Sequence, residues 1–574
     1  MPFSNKHIAR VFLQIAARLE VAGESPFRFE AYRKGAEAVM ALPEEAHAIL
    51  ARGESLPRRP GLGKVLVEKI ATVAGTGTVD LAERLKADVD DRQMELLRVR
   101  GLTPRRIRAL KDALGIVDLA GLEKAVGDGS LGDAPGFGPV VADRVARSLY
   151  EYLAHRGRVL RVDALDLALQ ASGLLAQVPG CTRVEIAGSV RRGCESVGHI
   201  DLVVVIDDRG TVAARLLEWD AVERLLDAGN DPVRLLLADG PELRVYSSLP
   251  ALFGATLHRL TGSAGHVAAV EAQMHALGWR LEPTALIGPH GPLDVPGESD
   301  FYQAIGLPWV PPELREDRGE IEAARGPGLP RLVDLHDLRG DLHCHTTHSD
   351  GDLSPLEMAR AAADLGYQYL GVSDHTHNVA IANGMSPDRA LLYADEVLSL
   401  RGRVPGLTLL AGVEVDILKD GSLDLPDAVL ERFDYVIASV HSHFSMPEEE
   451  MTARVLRAME HRFVSILAHP TGRLIGSRSS IPLDIDRVLR AAARTGTLLE
   501  LNSNPERLDL DDVNCRKART LGIPVAISSD AHERRGLDNL QHGVVQARRG
   551  WLEPRHVANT LPVEDLLRLL RRKR

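Results

Sequence analysis

Nine side chains of the kinds that bind transition metals recur from residue 339 onward: His343, His345, Asp350, His375, Glu414, His441, His469, Asp530 and His532. Imidazole mixed with carboxylate suits zinc, manganese or iron better than magnesium alone. Neighbouring ions of this kind generate hydroxide near neutral pH and stabilise both the attacking and the leaving oxygens of a phosphoester displacement. His348, Asp374, His377 and His443 stand close to these ligands in sequence, where they are expected to orient them or to protonate a leaving group.

Position along the chain supports one polynuclear site. In GDLHCHTTHSDG, His343 and His345 are two residues apart and share one strand face, while Leu342 and Cys344 take the other. Apolar runs of strand length then end at His375 (YLGVSDH), Glu414 (LTLLAGVE), His441 (YVIASVH), His469 (VSILAHP), and Asp530 with His532 (PVAISSDAH). Helical stretches such as SPLEMARAAADLG and DIDRVLRAAARTG lie between them, which predicts a parallel barrel or sheet. Ligands that follow successive strands converge on the C-terminal rim of such a barrel. LLELNSN adds a further strand, with Asn502 at its tip as a supporting group.

The motifs HxH, SDH, GVE, VHSHF, AHP and SDAH resemble the PHP (polymerase and histidinol phosphatase) domain over residues 339–574. The resemblance implies a distorted (β/α)7 TIM-like barrel with phosphoesterase chemistry and up to three metals, and all nine family ligand positions are filled.

A second constellation lies at the front. RPGLGKVLVEKIATV, LRVRGLTPRRIRALKDAL and LGDAPGFGPVVADRVARSL each place a glycine turn between two helical runs. Such turns expose backbone N–H groups at a helix start, where a phosphate is held without any base being read. Gly61 and Gly63, with Lys64 beside them, and Gly136 and Gly138 fit the helix-hairpin-helix pattern; Gly101 belongs to a third copy whose second glycine is Thr103. The net charge of −11 argues against a nucleic-acid partner, yet Lys+Arg exceed Asp+Glu by 26 to 22 over residues 1–165, against 14 to 25 over 166–338 and 29 to 33 over 339–574. Only the hairpin segment is basic, so DNA is the expected partner there. AYRKGAEAVMALP followed by PGLGKVLVEKI resembles the N-terminal lyase domain of DNA polymerase beta. That resemblance puts Lys69 at the imine-forming position, with Lys34 and Lys64 nearby in a chain that has ten lysines. Imine formation needs a primary amine, which arginine cannot supply. The alternative role for Lys69 is phosphate contact.

Residues 183–205, RVEIAGSVRRGCESVGHIDLVVV, resemble the palm of family X DNA polymerases, and DGPELRVYSS, HRLTGSAGHVAAV and FYQAIGLPWVPPELREDRGEIEAA continue the match into the thumb. The resemblance implies that Gly188, Ser189, Arg191, Arg192, Thr261, Gly262 and Ser263 bind a nucleoside triphosphate. It also implies that an acidic triad binds two magnesium or manganese ions. Here the triad positions hold His199, Asp201 and Glu242, where the family has three aspartates, and imidazole favours manganese over magnesium. Val267 replaces an asparagine, Arg259-Leu260 an aromatic pair, and LEPTAL the usual LNEYGL.

Together these segments resemble the bacterial and archaeal PolX type, a family X polymerase joined to a PHP domain. The expected chain is multidomain. It begins with a helical lyase-like domain (1–85) and a helical fingers-like domain with hairpins (86–160), both α-helical. An α+β nucleotidyltransferase-type palm (161–255), a thumb (256–316), a linker (317–338) and the barrel (339–574) follow. The expected function is gap-filling synthesis combined with 3′-5′ exonuclease or 3′-end processing, in base excision repair. Gapped or nicked duplex, 3′ ends and deoxynucleoside triphosphates are the expected partners, and a monomer the expected state. The alternative is a DNA-end nuclease or phosphatase whose polymerase-like core only binds DNA; a small-phosphoester hydrolase leaves the hairpins unexplained. Four cysteines without a CxxC pair, and no signal peptide or long apolar stretch, predict a cytoplasmic protein with no membrane association.

Overall fold

Seven apolar segments of the C-terminal half alternate with amphipathic helices, and in the computed structural model they pair in sequence order as one parallel sheet. The structure describes residues 5–42, 44–57, 62–206, 208–238, 240–283 and 285–573. It contains two compact units, residues 1–156 with 476–478, and residues 157–475 with 479–574.

The second unit carries two large sheets, beside a two-stranded pair (Val159–Leu160 with Ser196–Val197) and a small three-stranded sheet (Arg280–Leu281, Leu286–Gly288 and Gly291–Leu293). The palm sheet has β1 (Arg183–Ile186), β2 (His199–Val205), β3 (Val222–Asp227), β4 (Val233–Leu237) and β5 (Glu242–Ser247) in the order β1-β2-β5-β4-β3. Its central pair, β2 and β5, is parallel and sets His199 beside Glu242 and Asp201 beside Arg244. The barrel has β6 (Gly340–Asp341), β7 (Tyr369–Val372), β8 (Thr408–Asp416), β9 (Tyr435–Ser439), β10 (Val464–Leu467), β11 (Leu498–Asn502) and β12 (Val525–Ser528). A parallel bridge between Cys344 and Ala531 joins its first and last edges.

The period of two decides what each barrel strand presents. Leu409, Ala411, Val413 and Val415 of β8 join the large core under the outer helices, whereas Leu410 joins the interior with Leu342, Tyr369, Tyr435, Ile437, Ile466, Leu498 and Ala526. Along β8 the inward positions run Leu410, Gly412, Glu414, Asp416, and along β11 they run Leu498, Glu500, Asn502. The interior is therefore apolar at the strand starts and polar at the strand ends. Gly371 and Gly412 admit the Tyr435 ring: a Cβ would lie 2.0 Å from its hydroxyl at the first and 2.4 Å from Cζ at the second. The helix Val563–Leu570 plugs the apolar end through Leu566 and Leu570. The basic tail beyond it is tied down, with Arg572 donating to Gly496 O at 2.6 Å and Lys573 to Met459 O at 2.7 Å.

Local signals start and stop the outer helices. Ser354 and Glu357 form a reciprocal cap ahead of Pro355–Asp364, and Asp484 caps Ile485–Thr495, which ends at Gly496 with φ of 77°.

Palm and thumb pack on the barrel through charge. The buried Arg549 donates to Arg192 O and Glu316 Oε1 at 2.8 Å and to Asp512 Oδ2 at 2.9 Å, and Arg473 pairs with Glu195 at 2.7 Å. Residues 317–338 are ordered in this packing: the helix Glu320–Arg325 buries Glu320, whose Oε1 lies 2.6 Å from His266 Nδ1.

In the first unit, Ile8, Phe12, Tyr32, Val39, Leu66 and Ile70 centre one core, and Leu96, Ile107, Leu110, Phe137 and Leu149 centre another. The hairpin helices are Lys64–Thr76, Pro104–Leu114 and Pro139–His155. Gly63 and Gly138 stand at the N-cap of the first and third and leave the helix N–H groups uncapped, whereas Thr103 caps the second by accepting from Arg106 N. Gly101 and Gly136 take φ of 95° and 86°, a conformation open to glycine. Gly61 lies outside the described residues.

Candidate metal centre and palm site

All nine predicted ligands meet at the C-terminal end of the barrel strands. Their atoms form three overlapping groups: His345, Asp350, His375 and His532; His343, His345 and Asp530; and His375, Glu414 and His441, with the atoms of each group within 4.8 Å of one another. His469 Nε2 reaches Glu414 Oε1 at 3.2 Å and completes the set. Glu414 is central, with Oε2 2.7 Å from His375 Nδ1 and 3.5 Å from His343 Nε2, and Oε1 3.4 Å from His441 Nε2. Asp350 faces His345, His375 and His532 at 3.5–3.9 Å.

The fit to cations rests on atoms without hydrogen-bond partners. Glu414 Oε2, His345 Nδ1 and His375 Nδ1 are all buried and make no hydrogen bond, although the first and third are only 2.7 Å apart. Donor atoms that face one another without hydrogen-bond geometry fit the placement that ligands of a shared ion would take. The 3.2 Å between His343 Nε2 and His345 Nε2 is near the ~3.4 Å edge of a tetrahedron with bonds of ~2.1 Å.

Burial pushes His345 down to about 4, the neutral imidazole that a metal requires. Burial also works against charge on His343, His375 and His532, but the carboxylates of Glu500, Glu414 and Asp350 outweigh it and raise all three, His532 to about 9. Burial works against ionised Glu414, yet His375, His441 and His343 hold its carboxyl well below the usual range. Two ligands, His469 (φ 27°) and Asp530 (φ 54°), occupy left-handed backbone, a strain that concentrates where side-chain aim matters.

The supporting groups were partly legible. Asn502 donates to Asp530 Oδ2 at 3.0 Å, as its place at a strand tip suggests. Glu500, which the sequence reading missed, contributes more: its Oε1 lies 2.7 Å from His343 Nδ1 and its Oε2 accepts from His469 N at 2.7 Å. It stands where an orienting carboxylate would stand behind a metal-binding histidine. Its signal was parity with Asn502 on one strand face. Asp416 accepts from His441 N at 3.0 Å, and Asp341 accepts from His343 N at 3.1 Å. Of the four neighbours singled out from sequence, Asp374 binds the 346–349 loop through Thr346 and Ser349, His348 lies 3.1 Å from Glu396, and His377 lies 3.8 Å from Asp424. His443 has φ of 55°.

The palm is arranged differently. Asp201 is 5% exposed, its Oδ1 is buried without a hydrogen-bond partner, and His199 Nε2 lies 3.2 Å from its Oδ2. Gly188, at φ of 64°, brings its backbone against that carboxylate. Glu242, the third member, is held by Arg234 (Nε to Oε1, 2.6 Å) and Arg244 (Nε to Oε1, 2.9 Å). The Arg234 and Arg244 hydrogen bonds keep its carboxyl at about 2. Among the described residues, no three ligand atoms of the palm lie within 4.8 Å of one another.

Arg191 and Arg192 face inward. Arg191 binds Glu298 through both nitrogens at 2.8 Å and donates to Thr261 Oγ1 at 2.9 Å; Arg192 pairs with Glu316 at 2.9 Å. Thr261 is fully buried, a Cβ on Gly262 would meet His266 at 2.9 Å, and Ser263 caps the helix Ala264–Ala276. Ser189 O accepts from Cys194 N. In the first unit, Lys69 donates to Tyr32 OH at 2.5 Å, and Lys34 and Lys64 are exposed.

Comparison with known proteins covers the whole chain. Residues 3–79 match the helix-hairpin-helix domain model, 256–316 the DNA polymerase beta thumb and 341–504 the PHP domain. The chain is 34% identical over 571 residues, 99% of each protein, to the DNA polymerase/3′-5′ exonuclease PolX of Bacillus subtilis. It is 32% identical over 204 residues to a probable phosphatase of Thermoanaerobacter sp. (33% of this chain and 78% of that protein). It is 30% identical to one of Syntrophotalea carbinolica (230 residues, 38% and 90%). The PHP match stops before Asp530 and His532, which the fold returns to the other ligands.

Proposed function

We propose, from the premise that this chain belongs to the PolX family, that it is a DNA repair enzyme joining a family X polymerase core to a PHP-domain 3′-5′ exonuclease. The observation that carries the reading is the convergence of nine ligands into overlapping groups in a chain similar to PolX from end to end. Divalent cations bound there supply a hydroxide nucleophile near neutral pH and neutralise charge on the phosphoryl oxygens. Glu414 and Asp350 link the histidines, and Glu500 fixes His343 and the His469 backbone. Zinc, manganese or iron suits this donor set, and two or three ions match its grouping. Helix starts at Gly63 and Gly138 grip the phosphate backbone without reading sequence.

The finer reading is gap filling in base excision repair by a cytoplasmic monomer, with gapped or nicked duplex, 3′ ends and deoxynucleoside triphosphates as substrates. Among the described residues, no helix is long and apolar enough to cross a membrane. A one-nucleotide gapped primer-template, incubated with magnesium, manganese, zinc or iron with and without nucleotides, tests it. Extension with nucleotides and 3′ shortening without them is the expected pair of results, and absence of shortening under every metal refutes the exonuclease.

A second reading, a DNA-end nuclease or phosphatase whose palm only positions DNA, is favoured by the double pairing of Glu242. Shortening, with extension in none of these metals, selects it.

Lyase chemistry at Lys69 is proposed on the amine beside Tyr32. Borohydride should trap wild type on an abasic 5′ end and leave Lys69→Ala untrapped; undiminished trapping of the variant excludes Lys69 as the sole imine former.

A further inference from the structure

The palm as it stands does not fit a pair of metal ions, and the misfit is confined to one carboxylate. Asp201 offers a buried, unpartnered oxygen. Glu242 offers none: Arg234 donates to Oε1 at 2.6 Å and to Oε2 at 3.1 Å, and Arg244 donates to the same two oxygens at 2.9 and 3.5 Å. Fork geometry of this kind is the strong form of an arginine–carboxylate contact. Arg234 and Arg244 are also register partners across β4 and β5, so two like charges face each other directly. That arrangement is unfavourable unless an anion lies between them, and Glu242 supplies it. Glu242 is 17% exposed at its side chain, so the pair is only partly screened by water.

The two arginines are not equivalent. Arg244 shares the strand of Glu242 and stands in register with Asp201, inside the site. Arg234 comes from the next strand, with a side chain 43% exposed, and directs both hydrogen bonds at Glu242. We propose that Arg234 is an intramolecular lock on the palm: its guanidinium holds Glu242 where a divalent cation would draw it, so Arg234 sets how readily the palm takes up metal. The proposal rests on the reading of residues 161–255 as a nucleotidyltransferase core.

The test uses the full chain with His343→Ala and His345→Ala added to reduce the barrel's uptake, and follows manganese uptake by the electron paramagnetic resonance signal of the free ion. Uptake lost on Asp201→Ala defines the palm's share. Arg234→Gln should tighten that share by about tenfold, the effect of freeing one charge-assisted fork. Arg234→Lys, which keeps the charge and loses the fork, should lie between, and it carries the test if Arg234→Gln does not fold. Arg224→Gln on β3 removes the same charge without touching Glu242 and should leave uptake within about twofold. The proposal is overturned if Arg234→Gln binds no more tightly than its parent, if Arg224→Gln tightens uptake equally, or if no variant shows Asp201-dependent uptake. If uptake tightens while no variant extends a primer, the lock stands and the polymerase reading falls.

Discussion

Removal of 3′-terminal nucleotides should fall by about a thousandfold or more when His343 and His345 are both replaced by alanine, because the hydroxide these ligands help to generate has no substitute in water near neutral pH. The pair is the most damaging choice within the nine. Both rings are fully buried, His345 belongs to two of the three ligand groups, and His343 is the ring that Glu500 orients. The substitution also leaves Glu414 and Asp530 buried with fewer partners, which weakens folding. Nucleotide incorporation in the same preparation controls for that, since it depends on a different sheet; it should stay within about twofold in a folded protein. Chelation of the unmodified protein should reproduce the nuclease loss, and readdition of zinc, manganese or iron one at a time should identify the ion that restores it. Shortening that survives the double substitution would place the hydrolytic site elsewhere. Loss of both activities with an unchanged melting temperature would show that the two sites are not separate.

What the sequence made legible follows from the range over which residues act. Most of the ligands stood out because they close short apolar runs, and parity along a strand decides a side chain's direction without knowledge of the rest of the fold; Asp350 follows the polar stretch HCHTTHS and was legible through the family resemblance alone. Glu500 obeys the same parity as Asn502 but lies inside its run rather than at the tip, where a buried acid is indistinguishable from an exposed one until the barrel closes around it. Arg191 and Arg192 illustrate the opposite limit. Two consecutive arginines after Gly-Ser suggest a phosphate, and nothing local reveals Glu298 and Glu316, more than a hundred positions away, as their partners. The segment 317–338 has the charge, glycine and proline of a spacer, yet Glu320 is buried because His266 of the thumb lies within 2.6 Å of it. Composition describes the chain's solvent preference on average, and one long-range hydrogen bond outweighs it here. The contact between Arg234 and Glu242 is equally hidden, since it depends on the register of β4 against β5.

Gly188 links local backbone to chemistry in the palm, and its substitution should reduce extension by about 100-fold or more, second only to loss of Asp201 itself. Gly188 takes φ of 64°, which a residue with a side chain adopts only at a cost, and an added Cβ would lie 2.2 Å from Asp201 Oδ2 and 3.1 Å from Cγ. Turning the carboxylate aside does not relieve the contact, because the added Cβ would also lie 3.3 Å from Asp201 Cβ, which the main chain fixes through the 2.8 Å hydrogen bond from Ala187 N to Asp201 O and strand pairing on both sides. Either the turn or the carboxylate must move by about 1 Å, a displacement that costs on the order of 100-fold in rate where reacting atoms are positioned. Asp201→Ala should abolish nucleotide-dependent extension outright, Gly188→Ala should reduce it by about 100-fold or more, and both should leave 3′ shortening unchanged. The comparison separates two explanations of a weak palm. If Gly188→Ala and Asp201→Ala fail together while Arg234→Gln gains, the reactive geometry is intact and restrained by the Glu242 pairing. Normal extension by Asp201→Ala would remove the palm assignment altogether, whatever the barrel does.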